Sequence, residues 1–390
     1  MDGEQLSPFL LSHSPASSEL LDLFISLRRS EVVTDACSAL GITCKLQTEH
    51  AYRRINAARL PLPEYFGIAL LQFSNHEAYS GSCLLFEQLE SKCSLARTLQ
   101  ASGIAHMSPT TTVLAWDERV PESHSISSSK PQVLKRDGSS GGADVVVVIS
   151  TAQANALIES SVAIQSELPF HTERTFIPGW VLQEHIHDPL LILGGRKFHA
   201  RVYAVVLDDG ALYVHQSVEY RAAAAVYSAA DFADRAAHIT NGAGKGDVHR
   251  GLTHDLPELA HLTEKFTAFV AEIAMSVQLN TCPDTNSSSS SENTATCRQY
   301  ALLAFDVMAD TDERLWLLEV NHNPAVPGRA MVKPSFWQHL IKLCSDLVTL
   351  LLINGGDTSD VRVSQCVPGT QFFYAGMPKY ASKRKPTEPG

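Results

Sequence analysis

Residues 300–322, YALLAFDVMADTDERLWLLEVNH, place two apolar runs on either side of a short polar turn. Runs of this length and apolarity read as buried strands, and a turn at Asp312 and Glu313 folds them into a hairpin. The hairpin sets Asp306 almost opposite Glu319. Side chains alternate along a strand, so Glu319 and Asn321 share one face with Val320 on the other. Two carboxylates facing each other in a core are costly unless a positive charge joins them. Any fold this chain adopts must therefore bring cations to that spot. The oxygen set of Asp306, Glu319 and Asn321 suits a hard cation such as Mg2+. Separate salt bridges are the alternative, and the hairpin by itself leaves both open.

Two other stretches supply cations. In VLKRDGSSGGADVVVVIS, residues 133–150, Lys135 ends a short strand, a loop with Gly141 and Gly142 follows, and a β-branched strand comes next. Glycines let backbone N–H groups approach a phosphate, and Lys135 adds a point charge. No GK[ST] opens a helix, so this is not a Walker A loop, and a plain hairpin turn would use the same residues. In GGRKFHARVYAVV, residues 194–206, Lys197, His199 and Arg201 alternate and share one strand face. Such a stripe suits an anionic ligand or, more simply, a solvated face. Arg221 lies beyond the next strand.

The remaining chain is an ordinary mixture. A net charge of −11 argues against nucleic acid as the main partner. No apolar run approaches the roughly 20 residues of a membrane span, and the first residues lack the basic start of a signal peptide. The eight cysteines form no CxxC pair and no zinc spacing, which implies reduced thiols and a cytoplasmic protein. Helices are expected over 18–41, with Ser18 as N-cap and Gly41 as stop, over 91–100, and within 253–279. Residues 281–297 read as a low-complexity surface insertion, and the basic C-terminal end as a disordered tail. The expected division is an N-terminal α/β domain over 1–85, lobes over 86–180 and 181–360, and an extension over 361–390. Hairpins dominate, giving an α+β class and no doubly wound dinucleotide fold.

The order of these motifs resembles the tubulin–tyrosine ligase family of the ATP-grasp superfamily. The likeness is carried by Lys135 before the glycine-rich loop, then LQEHIHDPLLI, RKFHARVYAVV, YRAAAAVY, HITN, AFDVMAD and WLLEVNHNP, and it covers roughly residues 85–350. It implies an ATP-grasp fold, with two α+β lobes clasping ATP behind a small N-terminal α/β domain. It also implies the reaction: a carboxylate takes the γ-phosphate of ATP, and an amine then displaces phosphate to form an amide. By resemblance, Asp306, Glu319 and Asn321 hold Mg2+. Lys92, Lys135, Lys197, Gly141 and Gly142 contact nucleotide phosphates. Gln183, Glu184, His185 and Ile186 form the adenine hinge, and Thr240 and Asn241 line the ribose or phosphate site. Arg201 and Arg221 bind the acceptor carboxylate and stabilise charge during transfer.

Three positions depart from the family pattern. Arg136 follows Lys135 in place of proline, Asp144 replaces a glycine, and His199 stands where many members carry Asp. The resemblance implies an enzyme, a monomer, adding tyrosine to the C-terminus of α-tubulin in the cytoplasm or on microtubules. The alternatives are a tubulin glutamylase or glycylase, a small-molecule ligase, and a non-catalytic nucleotide-binding scaffold on the same fold.

Overall fold

The computed structural model describes residues 20–26, 30–46, 68–73, 79–80, 87–137, 144–166, 179–207, 210–241, 249–279, 298–322, 324, 326–354, 366–367, 369–376 and 379–380. The insertion expected over 281–297 and the glycines Gly141 and Gly142 lie outside them. No helix among the described residues is long and apolar enough to cross a membrane.

The chain begins with β1 (Leu20–Ser26), α1 (Ser30–Ala39), β2 (Thr43–Leu46), β3 (Ile68–Phe73) and β4 (Tyr79–Ser80). The helix expected over 18–41 is corrected here. Residues Leu20–Ser26 form a strand that pairs parallel with β2 and antiparallel with β3, and the helix starts only at Ser30. LLDLF fits either period, and only pairing partners distant in sequence decide it.

A smaller lobe follows: α2 (Glu87–Glu90), α3 (Lys92–Ala101), β5 (Thr111–Ala115), β6 (Gln132–Arg136), β7 (Val145–Val148), α4 (Thr151–Ser166) and β8 (Gly179–Glu184). Its strands form an antiparallel sheet in the order β5-β8-β6-β7. Leu114, Leu134, Val148, Ile158, Trp180 and Leu182 make its core. The Asp137 carboxylate, just past β6, accepts from the Ser91 hydroxyl at 2.7 Å and the Lys92 N–H at 2.8 Å. This cap satisfies donors at the start of α3 and fixes Lys92 relative to Lys135. Gly179 opens β8 because a Cβ there would lie 2.9 Å from the Leu114 carbonyl oxygen.

The larger lobe contains β9 (Leu191–Ile192), β10 (Arg196–Leu207), β11 (Leu212–Ala222), α5 (Arg235–His238), β12 (His249–Leu252) and α6 (Thr263–Ser276). It continues with β13 (Gln278–Leu279), β14 (Arg298–Ala309), β15 (Leu315–His322), α7 (Pro334–Asn354), β16 (Phe372–Gly376) and β17 (Lys379–Tyr380). Its centre runs β12-β11-β10-β14, with β15 beside β14 and β16 beside β11. β4 pairs parallel with the start of β14, so the N-terminal strands extend this sheet, while β13 and β17 pair separately.

Of the helices expected within 253–279, only α6 is an α-helix; residues 253–255 and 260–262 form short 3-10 turns before it. Phe198, Ala200, Val202, Ala204 and Val206 of β10 join Phe266, Val270 and Ile273 of α6 in one core cluster. Tyr203, Val205 and Leu207 instead join α7, through Trp337, Leu340 and Leu347, and α1, through Val33 and Ala36. The strand periodicity thus feeds two apolar layers. Beyond the reach of α7, the second face carries Lys197, His199 and Arg201 in place of apolar residues.

Candidate active site

The hairpin forms as the sequence requires. The Asp310 carboxylate accepts from the Asp312 and Arg314 N–H groups at 3.1 and 2.9 Å, and Glu313 takes the left-handed turn position with φ of 57°. Asp306 pairs in register with Glu319, and the register shifts just beyond, between Asp306 and Val307. Asp306 also stands opposite Arg201 of β10, which stands opposite Glu219 of β11. One row therefore reads Glu319, Asp306, Arg201, Glu219 across four strands. Two residues along, a second row reads His199, Arg221, Arg250, ending on β12.

The first row answers the charge problem posed by the hairpin. Arg201 clasps Asp306 with two hydrogen bonds, Nε to Oδ1 and Nη2 to Oδ2, both 2.7 Å, and both residues are buried. Burial opposes the charge on Arg201, but Asp306 outweighs it and raises the guanidinium pKa. The Asn321 amide donates to Asp306 Oδ2 at 3.2 Å, and Lys92 Nζ lies 4.0 Å from Glu319. In the second row, Arg221 Nη2 donates to Glu219 Oε2 at 3.1 Å, while its buried Nε has no partner. Arg250 makes no ion pair or hydrogen bond among the described residues. Burial and then Arg221 lower its pKa to about 10.

The other end of this face meets the smaller lobe in a cleft of about 730 Å³, counting its open mouth. The cleft is lined by Lys135, Gln183, Glu184, His185, Ile186, Lys197, Thr240, Asn241, Asp306 and Glu319, among others. Lys135 Nζ donates to Gln183 Oε1 at 2.6 Å, and the Gln183 amide donates to Thr111 Oγ1 at 3.0 Å. Burial pushes the Lys135 pKa down to about 8, partly offset by Glu319; burial and then Lys135 bring Lys197 to about 8 as well. Neither lysine has a carboxylate within ion-pair distance among the described residues. His185 is buried with both ring nitrogens unpartnered, and burial and then Lys197 drive its pKa to about 2, so it is neutral. His199 Nδ1 lies 2.5 Å from Thr240 Oγ1; burial and then Arg201 keep that ring neutral too.

These residues fit the groups the motifs call for. Two buried ammonium groups without counter-ions among the described residues form an electropositive pocket suited to a polyphosphate. The oxygens of Asp306, Glu319 and Asn321 lie on paired strands and form a hard donor set, with Asp306 shared with Arg201. The stripe at 197–201 is buried, so it is not a solvated face. Lys92 reaches the site from the start of α3. Arg201 and Arg221 do not line the cleft; they sit in the rows beside it. Asp144 is engaged with Arg136 at 2.5 Å.

Sequence reasoning missed Glu219 and Arg250. Glu219 had a signal: it alternates with Arg221 in SVEYRA and so shares its face. Arg250 had none, because its place in the row depends on β12 pairing.

A model of the Tubulin-tyrosine ligase family matches residues 73–352. The chain belongs to the tubulin–tyrosine ligase family. Tubulin–tyrosine ligase relatives include the Caenorhabditis elegans protein named probable tubulin polyglutamylase ttll-9, which is 29% identical over 158 residues. That match covers 38% of this chain and 37% of the relative, so only a little over a third of the relative's length is represented. Among solved structures, the C-terminal domain of K. lactis Pby1 is described as an ATP-grasp enzyme interacting with the mRNA decapping enzyme Dcp2. It superposes with a TM-score of 0.54 at 15% identity, over 92% of this chain and 99% of that one. This tubulin–tyrosine ligase family member has the ATP-grasp fold, as its motifs implied.

Proposed function

We propose that the chain is an ATP-dependent carboxylate–amine ligase that joins an amino acid to a protein tail. One observation carries the reading: the cleft brings together Lys135 from β6 and Lys197 from β10, buried and without a carboxylate partner among the described residues. The face carrying Lys197 continues past the Asp306, Glu319 and Asn321 oxygens to arginines held by carboxylates. Lys135, Lys197 and Lys92, with Gly141 and Gly142, would hold ATP phosphates. The backbone of Gln183, Glu184, His185 and Ile186 would receive adenine, and Thr240 and Asn241 the ribose or phosphates. Mg2+, when bound by Asp306, Glu319 and Asn321, would neutralise charge on the transferred phosphate. The acceptor carboxylate attacks the γ-phosphorus and ADP leaves; the amine then attacks the acyl carbon and phosphate leaves. Arg201 and Arg221 would stabilise the oxygens on which charge accumulates.

Tyrosine is the donor the resemblance first suggests, but we favour glutamate. Arg250 stands beside Arg221 without an ion pair among the described residues, and a donor bearing a second carboxylate would relieve that charge. Tyrosine offers no such group. The relative named as a tubulin polyglutamylase supports the same choice and makes a tubulin tail the acceptor to test, which would place the protein in the cytoplasm on microtubules. The overall charge of −11 would repel an acidic tail, so the arginine rows would have to supply the local attraction.

The test is intact mass of tubulin, with and without its terminal tyrosine, after incubation with this protein, Mg·ATP and equal glutamate, glycine and tyrosine. A glutamate mass gain is expected. A tyrosine gain would overturn the donor assignment, and no gain with ATP bound would overturn the ligase reading in favour of a scaffold.

A further inference from the structure

We infer that Glu219 is a positioning residue, which holds Arg221 in its working orientation and ties it to α7. The inference rests on the ligase reading, which gives Arg221 a substrate-facing role. Glu219 is fully buried and divides its two oxygens. Oε2 accepts from Arg221 Nη2 at 3.1 Å. Oε1 accepts from the Tyr203 hydroxyl at 2.8 Å and lies 3.5 Å from His339 Nε2 on α7. Oε1 is thus held by Tyr203 of β10 and lies close to α7, and Oε2 grips the guanidinium.

Nothing else described can hold Arg221. Its in-register neighbours are His199, which is neutral, and Arg250, which repels it. Like charges directly opposite on paired strands destabilise one another. Without Glu219, Arg221 would have no reason to stay on its row. The carboxylate is also kept ionised. Burial alone would protonate it, but His339, Arg221 and Arg201 hold its pKa well below the usual carboxylate range.

The site is therefore sorted by two carboxylates. Asp306 takes Arg201 through a two-bond fork, and Glu219 takes Arg221 through one bond, leaving Arg221 Nε unpartnered in the interior. A guanidinium anchored at one nitrogen and left with a buried, unsatisfied donor at another is oriented by Glu219 alone among the described residues. Tyr203 belongs to the core cluster of α7, so packing of that helix sets where Glu219, and hence Arg221, can sit.

The experiment compares wild type, Glu219→Gln and Tyr203→Phe by ligation kinetics, Mg·ATP binding, thermal unfolding and the NMR signal of the Arg221 Nε–H. Glutamine keeps an acceptor for Tyr203 and removes the charge that holds Arg221. In Glu219→Gln, kcat should fall about 100-fold, with Mg·ATP affinity and melting temperature near wild type and a shifted or broadened Arg221 signal. Tyr203→Phe should lower the same kcat less, and Glu219→Asp should recover part of it. Unchanged kcat with an unchanged Arg221 signal would overturn the inference. So would a kcat loss that only tracks lost ATP affinity or lost stability. If wild type ligates nothing, the ligase reading fails by itself, and the Arg221 signal alone decides: shifted in Glu219→Gln supports the positioning role, unshifted overturns it.

Discussion

The lysines of the cleft and the arginines beside it are buried to a similar degree but are treated oppositely. Lys135 and Lys197 have no carboxylate partner among the described residues, and burial brings both down to about 8. Arg201 is buried as deeply, yet Asp306 raises its pKa. Neutralising a buried lysine by proton loss is feasible near neutral pH, whereas an arginine cannot escape that way and must be given a carboxylate. The difference teaches which end awaits an anion and which end is already ordered. The lysine end is charged at a cost that a polyphosphate would offset. Arg201 is balanced by Asp306 before any substrate arrives.

The largest effect should come from breaking the balanced end. Asp306→Asn leaves Arg201 buried without its counter-charge, so stability should fall by about 3–5 kcal/mol in denaturant unfolding, and ligation should be lost. Arg201→Ala should cost a similar amount for the mirror reason.

Glu319→Gln sharpens the contrast from the same hairpin. Glu319 is a fifth exposed and 4.0 Å from Lys92, so its loss should leave the unfolding midpoint nearly unchanged. Ligation should nonetheless drop by 100-fold or more, on the order expected for removing a preorganised transition-state contact, with weaker Mg·ATP binding by calorimetry. Near-normal turnover would end its assignment as a metal ligand.

At the lysine end the sign should reverse. Lys197→Met should weaken ATP binding roughly tenfold or more, by analogy with the loss of a charge-assisted contact, while leaving the apo protein as stable as wild type or more so. Titration gives a second handle. Both lysines have folded pKa values near 8 against an ordinary 10.5, so the unfolded chain binds more protons across that window. Stability of the apo protein should therefore rise as pH goes from about 8 to about 10.5. Saturating nucleotide should flatten that slope, and nucleotide affinity should fall above pH 8 as the ammonium groups lose their protons. A flat apo profile would mean the lysines are not desolvated in solution.

The smallest effect belongs to Arg136→Ala. Its pair with Asp144 is about a third exposed on both sides, so its loss should change stability by less than about 1 kcal/mol.

Much of this site was legible in the chain itself. The apolar runs around Asp312 fixed the hairpin and the Asp306–Glu319 register, because period-two alternation leaves little freedom once one face is buried. The same rule put Lys197, His199 and Arg201 on one face. The order of these motifs identified the family and, with it, the ATP-grasp fold. Local alternation, however, says only that charges share a face, never which of them meet. That Arg201 takes Asp306, 105 residues away, that Glu219 takes Arg221, and that Arg250 has no ion pair among the described residues were decided by how β10, β11, β12 and β14 align. The strand at Leu20–Ser26 was likewise decided by its partners. Registers between strands far apart in sequence are set by packing of whole layers, and in the interior that packing alone determines which charge neutralises which.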